Sequence, residues 1–445
     1  MRSKGIWLLA CSICILSAWT VLADDWPQWL GPKRDGVWRE TGIISNFPAG
    51  GPTIRWRQPI GGGYAGPAVA NHRVYLMDRQ LKPGVRNPAD PFARSTISGT
   101  ERILCLDEKD GHVLWTHEYD CPYSVSYPAG PRATASIDGG KVYALGAEGN
   151  LFCLEGESGK VIWSHDFKKE FGAKTPLWGF ASHPLIDGGK LICIVGGEGS
   201  VAVAFNKETG QELWRALSAK EPGYAPPVIF EAGGKRQLIV WHPEAVNSLD
   251  PETGQVHWKF PWEARSGLAI STPRKSGDEL FLTSFYNGSL MLRFDPNAPQ
   301  VTEVWRSKKV SERDTDGLHS IISTPFFENG HIYGVCSYGQ LRCLNAATGE
   351  RLWETFRATT DGNEARWANA FVVKNGGRFF LFNEKGDLII AELSPTGYRE
   401  LGRAHLVDAV NTAPGRPVVW SHPAFANRSI YVRNDREIVC ASLAE

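Results

Sequence analysis

One pattern recurs along this chain of 445 residues and constrains its fold more than any other feature. A small residue is followed by Asp, Asn or Glu, then by Gly, then by Trp, at offsets of 2, 6 and 10. The full copies are Cys105-Asp107-Gly111-Trp115, Cys153-Glu155-Gly159-Trp163, Ala204-Asn206-Gly210-Trp214, Ser248-Asp250-Gly254-Trp258 and Cys343-Asn345-Gly349-Trp353. Degraded copies run from Arg293 and Asp295 to Trp305, and from Ala391 through Gly397 to Leu401; a truncated one begins at Cys440. Successive starts lie 48, 51, 44, 45, 50, 48 and 49 residues apart. Self-similarity at about 40–50 residues predicts a propeller or a solenoid.

The interior of one period identifies the unit. In 131–167, short β-rich runs begin at Ala133, Lys141, Leu151 and Lys160, separated by turns at Asp138–Gly140, Glu148–Asn150 and Glu157–Gly159. Close, regular spacing with glycine turns implies antiparallel all-β structure. Four strands per period match one propeller blade, whose radial repetition leaves only short, protected edges. No stretch sustains a helical apolar period, so little helix is expected.

Each motif position has a mechanical reading. The acid or amide bonds its own downstream backbone and closes a turn. The glycine supplies positive φ there. Trp115, Trp163, Trp214, Trp258 and Trp353 are read as structural, large faces to bury with one N–H to satisfy.

The spacing resembles the tryptophan-docking motif of propellers built from pyrroloquinoline-quinone-type repeats. That family includes quinoprotein dehydrogenases and the periplasmic lipoprotein that helps to assemble outer-membrane β-barrels. The opening Trp26–Gly36 resembles the start of secreted bacterial members of mostly unassigned role. The resemblance is specific for fold and weak for activity, because one fold hosts many functions.

Third-strand starts predict eight units. The eighth lacks its outer strand, while Thr53–Trp56 offers a docking Trp without preceding strands. The expected fold is therefore an all-β, eight-bladed propeller of four-stranded antiparallel blades, closed by an N-terminal strand that completes the last blade. The expected organisation is a signal peptide over 1–23, an extended N-terminal segment over 24–52 and the propeller over 53–445. The insertion from Arg79 to Gly99 reads as a loop on the first blade.

Composition bounds the setting. A basic start (Arg2, Lys4), an apolar run from Ile6 to Leu22 and small residues up to Ala23 read as a cleaved leader, with the mature chain starting at Asp24. Periplasmic or secreted localisation follows, with no transmembrane span. The whole chain carries 48 basic and 48 acidic residues. The basic stripe that nucleic acid demands is missing. Of nine cysteines, Cys11 and Cys14 fall in the leader. Cys105, Cys153, Cys343 and Cys440 occupy one slot in different blades, too far apart for a disulfide. They read as small buried hydrophobes.

Ligands of a propeller sit at an axial mouth, where loops lead into the innermost strands. Those loops are rich in aromatic and basic residues: Tyr64, Tyr127 with Arg132, Trp178 with His183, Tyr224, Trp262 with Arg265, His319, Arg366 and Trp367 with Asn369, and Trp420 with His422. Aromatic faces with a few polar groups grip planar or sugar-like ligands. Trp178, His183, Arg265, His319, Arg366, Trp367, Trp420 and His422 are the expected binding face, with arginine presenting a planar fork suited to carboxylate or phosphate. The competing reading of each is repeat-derived packing between blades.

Within the resembled family, a dehydrogenase implies pyrroloquinoline quinone with calcium, which needs oxygen ligands. Asp314, Asp316, Asp361 and Glu364 are the nearest acids in sequence. The adjacent cysteines of quinoprotein alcohol dehydrogenases do not occur, and neither does a Gly-x-Ser-x-Gly or His-Glu-x-x-His motif. The expected function is a non-catalytic, monomeric extracytoplasmic propeller that binds a protein or envelope polymer. The alternative is a quinone-dependent dehydrogenase.

Overall fold

The computed structural model describes residues 24–445 except 414; the leader read over 1–23 lies outside the described residues. The described residues form eight four-stranded antiparallel blades, and among them helix is confined to Phe167–Phe171 and one short turn at Arg265–Gly267. Seven blades are continuous in sequence, over 68–120, 136–166, 185–216, 228–261, 274–306, 326–355 and 370–405. The eighth joins three strands within 424–442 to Ile54–Pro59. There Trp56 pairs with Cys440 and Pro59 with Glu437, so both ends of the ring share one sheet, as the unpaired Trp56 strand predicts.

The repeat becomes a mechanical contact between blades. Cys105 faces Trp115 across the ladder, and a bulge follows at once. Cys153 and Trp163, Ala204 and Trp214, Ser248 and Trp258, and Cys343 and Trp353 repeat this register. The indoles of Trp115, Trp163 and Trp214, and that of Trp56, then reach the motif glycine of the following blade. A Cβ on Gly111 would stand 2.5 Å from Trp56, on Gly159 2.6 Å from Trp115, and on Gly210 2.8 Å from Trp163. The same glycines hold φ of 78°, 72° and 75°, so one residue type serves both turn and docking. The indole N–H closes the contact on a carbonyl beside that glycine, as Trp115 does on Gly156 at 2.9 Å and Trp163 on Lys207 at 3.0 Å.

Where the motif decays, the contact changes. The fifth blade lacks the glycine, and Trp258 of the fourth donates instead to Gln237 Oε1 of its own blade at 2.7 Å. The fifth copy keeps its turn at Asp295, but its ladder runs on, so Trp305 faces Met291 and not Arg293. Trp305 still docks, against Gly349 and the Ala346 carbonyl.

The apolar core lies between blades. Tyr143, Leu145 and Leu151 of the second blade pack with Leu191, Cys193 and Val203 of the third. All seven cysteines of the described residues are buried free thiols.

Residues 24–52 cross the far end of the channel. Trp26 bonds Val69, the Pro27 carbonyl takes the Ile137 N–H, Trp38 bonds Lys374 and Ile44 bonds Leu443. The buried Arg34 guanidinium donates to the carbonyls of Pro184 at 3.0 Å, His183 at 3.3 Å and Pro227 at 3.4 Å. Val69, Ile137 and Lys374 lie in innermost strands of three blades, and Pro184 and Pro227 immediately precede two more, so the segment plugs the channel and brings Trp29 against His183 and His422.

Candidate functional site

The loops that lead into the innermost strands surround a cavity of about 510 Å³ at the other end of the channel. Its floor is a cluster of three rings. Trp29 lies parallel to His183, with centroids 4.2 Å apart and planes at 6°, and edge-on to His422 at 4.3 Å and 87°. The Trp29 indole N–H donates to Thr272 Oγ1 at 2.9 Å. Both histidines belong to Ser-His-Pro triplets, and Thr134 ties them together. Its N–H donates to His183 Nδ1 at 2.8 Å, and its hydroxyl meets His422 Nε2 at 2.5 Å. The approach of His422 requires a glycine opposite, since a Cβ on Gly66 would stand 2.5 Å from the ring.

Neither imidazole takes a proton easily. Burial, then the nearness of His422 and of the Arg34 cation, hold His183 well below its usual range. Burial, then Arg433, bring His422 down to about 3. Arg34 itself, fully enclosed with carbonyl partners, is lowered to about 9 by desolvation. The floor is thus neutral imidazole above a buried cation.

The wall is aromatic. Phe92, Tyr127, Trp367 and Trp420 form one contiguous cluster, with Phe92 to Tyr127 at 5.2 Å and Tyr127 to Trp420 at 5.6 Å. Trp178 and Tyr224 meet edge to face at 5.8 Å elsewhere on it. Ile270, Phe285 and Phe371 complete the lining between them. Three lining residues hold left-handed backbone: Tyr127 at φ 54°, Ser266 at 59° and Trp367 at 66°. For a bulky side chain that conformation costs about 1–2 kcal/mol, and such strain clusters at binding and catalytic sites.

Among the expected residues, Trp178, His183, Arg366, Trp367, Trp420 and His422 border this one cavity. Arg265 does not; it is exposed at the rim with its guanidinium 4.7 Å over Tyr286. His319 is wholly buried, its nitrogens against the carbonyls of Phe285 and Asp316, so it supports the wall without facing the cavity. Trp262 stacks on Trp241 at 5.2 Å inside the fourth blade. The planar fork of Arg366 already meets a carboxylate of this chain: it donates to Glu312 at 2.6 Å and lies 4.5 Å from the Trp367 ring centre. Arg132 likewise spends its donors on the carbonyls of Ser126 and Tyr127 at 2.9 and 2.6 Å. The sequence reading missed Trp29 and Phe92. The tryptophan-rich opening signals the first; nothing local signals the second.

The donor set does not fit calcium and its quinone. Among the described residues no Asp or Glu borders the cavity, whereas a calcium ion takes several carboxylate and carbonyl oxygens. Asp314 pairs with Lys309, Asp316 accepts the N–H groups of Lys308 and Lys309, and Asp361 pairs with Lys385 and Arg403. Among the described residues no cluster of three His, Cys, Asp or Glu side chains is placed to hold a metal. No described helix is long and apolar enough to cross a membrane.

Comparison with known proteins agrees with the architecture. The family described as "Outer membrane protein assembly factor BamB" matches residues 99–319 and 242–445. The protein of that name from Yersinia pestis is 24% identical over 231 residues, 49% of this chain and 53% of that one, so the match spans about half the relative's length. In three dimensions BamB from Moraxella catarrhalis aligns with a TM-score of 0.51 at 16% identity, over 82% of this chain and 98% of that one. The quinohemoprotein alcohol dehydrogenase of Comamonas testosteroni aligns with a TM-score of 0.62 at 13% identity, over 94% of this chain and 80% of that one. At these identities the structures speak for the fold alone. The sequence match over most of the propeller, carried by the docking repeat, decides the family: this chain belongs to the pyrroloquinoline-quinone-type repeat propellers described as outer membrane protein assembly factor BamB.

Proposed function

We propose that this propeller is a non-catalytic binding protein of the extracytoplasmic space, and that its aromatic mouth grips an apolar segment of a protein partner. One observation carries the reading: the cavity is walled by aromatic rings, has no acid on its lining, and its arginines are already engaged. Such a surface recognises rings and extended apolar chain, with little enthalpic reason to select a charged ligand. The one hydroxyl held against an imidazole here, that of Thr134 on His422, is not on the cavity lining, and no pair of carboxylates borders it among the described residues. The relative's name, an outer membrane protein assembly factor, fits recognition of a protein. The extracytoplasmic setting rests on the basic and apolar leader, with cleavage after Ala23, residues 24–52 as the plugging segment and 53–445 as the ring.

Titration of the purified chain with extended aromatic-rich peptides, followed by tryptophan fluorescence, tests the reading. Saturable quenching that Trp367→Ala weakens is the expected result. The competing dehydrogenase reading predicts that quinone and calcium restore dye-linked alcohol oxidation, and that outcome would overturn ours. Intact mass of the exported protein checks the Asp24 terminus.

A further inference from the structure

We infer that the cavity floor is a subsite for a hydrogen-bond acceptor carried on an aromatic ring, which makes the mouth selective for a tyrosine side chain of the partner. The inference rests on the protein-binding reading above and adds the chemistry that the floor recognises.

His183 supplies the polar group. Its Nδ1 accepts the Thr134 N–H at 2.8 Å, so the neutral ring carries its proton on Nε2. That Nε2–H has no partner among the described residues, although the residue is only 6% exposed and borders the cavity. The parallel Trp29 ring at 4.2 Å, itself anchored on Thr272, holds the imidazole in place. A donor that opens onto the cavity without a protein partner is free to bond an acceptor brought by a ligand. Burial and the neighbouring Arg34 and His422 keep the ring from taking a second proton.

The surroundings decide which ligand suits. A phenol oxygen accepts from Nε2–H while its ring meets the aromatic wall. Phenylalanine fills the same space and leaves the donor unpaired. An indole offers an N–H, donor against donor. An ammonium or guanidinium meets the buried Arg34 and finds no carboxylate on the lining. A site that hydrogen-bonds a hydroxyl rejects the analogue lacking it more strongly than an apolar pocket rejects an extra methylene.

The test uses the whole mature chain and peptides of one sequence, differing only in a central Tyr, Phe, Trp or Ala. The Tyr peptide is expected to bind about tenfold more tightly than the Phe peptide, the value of one buried hydrogen bond. In protein with 15N-labelled histidine, the His183 Nε2 resonance is expected to shift with the Tyr peptide and not with the Phe peptide. His183→Gln, checked for an intact melt, should bring the Tyr preference to about twofold or less. If that variant unfolds, the labelled wild-type protein decides alone. Equal binding of Tyr and Phe peptides, or an unmoved His183 resonance, overturns the inference and leaves the mouth a general aromatic site. Failure of every peptide to bind overturns the inference together with the peptide-binding reading.

Discussion

The rim and the mouth of this ring are built from the same residue types to opposite ends. At the rim, a tryptophan in each of several blades meets a glycine of the next, in one register and with one hydrogen bond. At the mouth, tryptophans, tyrosines and histidines occur at equivalent loops, yet no two make the same contacts. The rim repeats because every pair of neighbouring blades needs the same joint. The mouth does not repeat because a ligand is met only once. Periodicity in a repeat protein therefore marks structure, and departure from it within a repeated frame marks recognition.

The largest expected effect breaks the rim. Trp163→Ala should destabilise the protein by about 3–5 kcal/mol, as for other buried aromatics cut to alanine, measured by denaturant melts. An unchanged midpoint would deny the joint its structural role. Gly210→Ala sharpens the point. It combines a strained φ with a Cβ 2.8 Å from Trp163, and should cost about 2–4 kcal/mol. Gly139→Ala, at φ 54° with open space around it, carries the backbone strain alone and should cost about 1 kcal/mol. Equal losses would show that docking adds nothing to the turn.

The mouth should answer to pH. His183 and His422 are neutral in the fold at values where the unfolded histidines, titrating near 6.5, already bind protons. The unfolded state then holds more protons, so stability falls as pH drops below about 6.5. Each histidine contributes about 1.4 kcal/mol per pH unit, continuing for His422 down to about 3. His422→Gln should flatten the fall between pH 6.5 and 5, and an unaltered slope would contradict the buried neutral ring.

The smallest effects on stability separate binding from folding. Trp367→Ala and Arg366→Ala should each move stability by no more than about 1 kcal/mol, because one is partly exposed and the other forms an exposed ion pair with Glu312. Peptide affinity should fall markedly for Trp367→Ala and little for Arg366→Ala, whose guanidinium is already occupied. The reverse order would mean that the ligand displaces Glu312 and that charge governs the mouth.

Much of this was legible in the linear chain. The docking copies placed every blade, and Trp56 without its own preceding strands foretold the shared sheet with Cys440. That legibility has a cause: a joint made between neighbours in sequence must be encoded again in each repeat. Even the failures were local. Asp295 marked its turn, but the longer ladder that puts Met291 opposite Trp305 has no marker, since either register buries apolar residues.

The mouth was legible only as a set of loops. His183 and His422 could be singled out by their Ser-His-Pro triplets, but not that one Thr134 would hold both. His319 occupies an equivalent loop, yet its ring turns inward to the carbonyls of Phe285 and Asp316, the first of them 34 residues away in sequence. Trp29 reaches the floor, Phe92 the wall and Arg34 the axis through contacts with residues far away in sequence. Sequence by itself determined the repeat, the blade count and the closure, because these rest on contacts of fixed spacing. Only the tertiary structure decided which rings share a cavity, which arginines are already engaged and which nitrogen is left to donate, because closing the ring brings together side chains that no spacing relates.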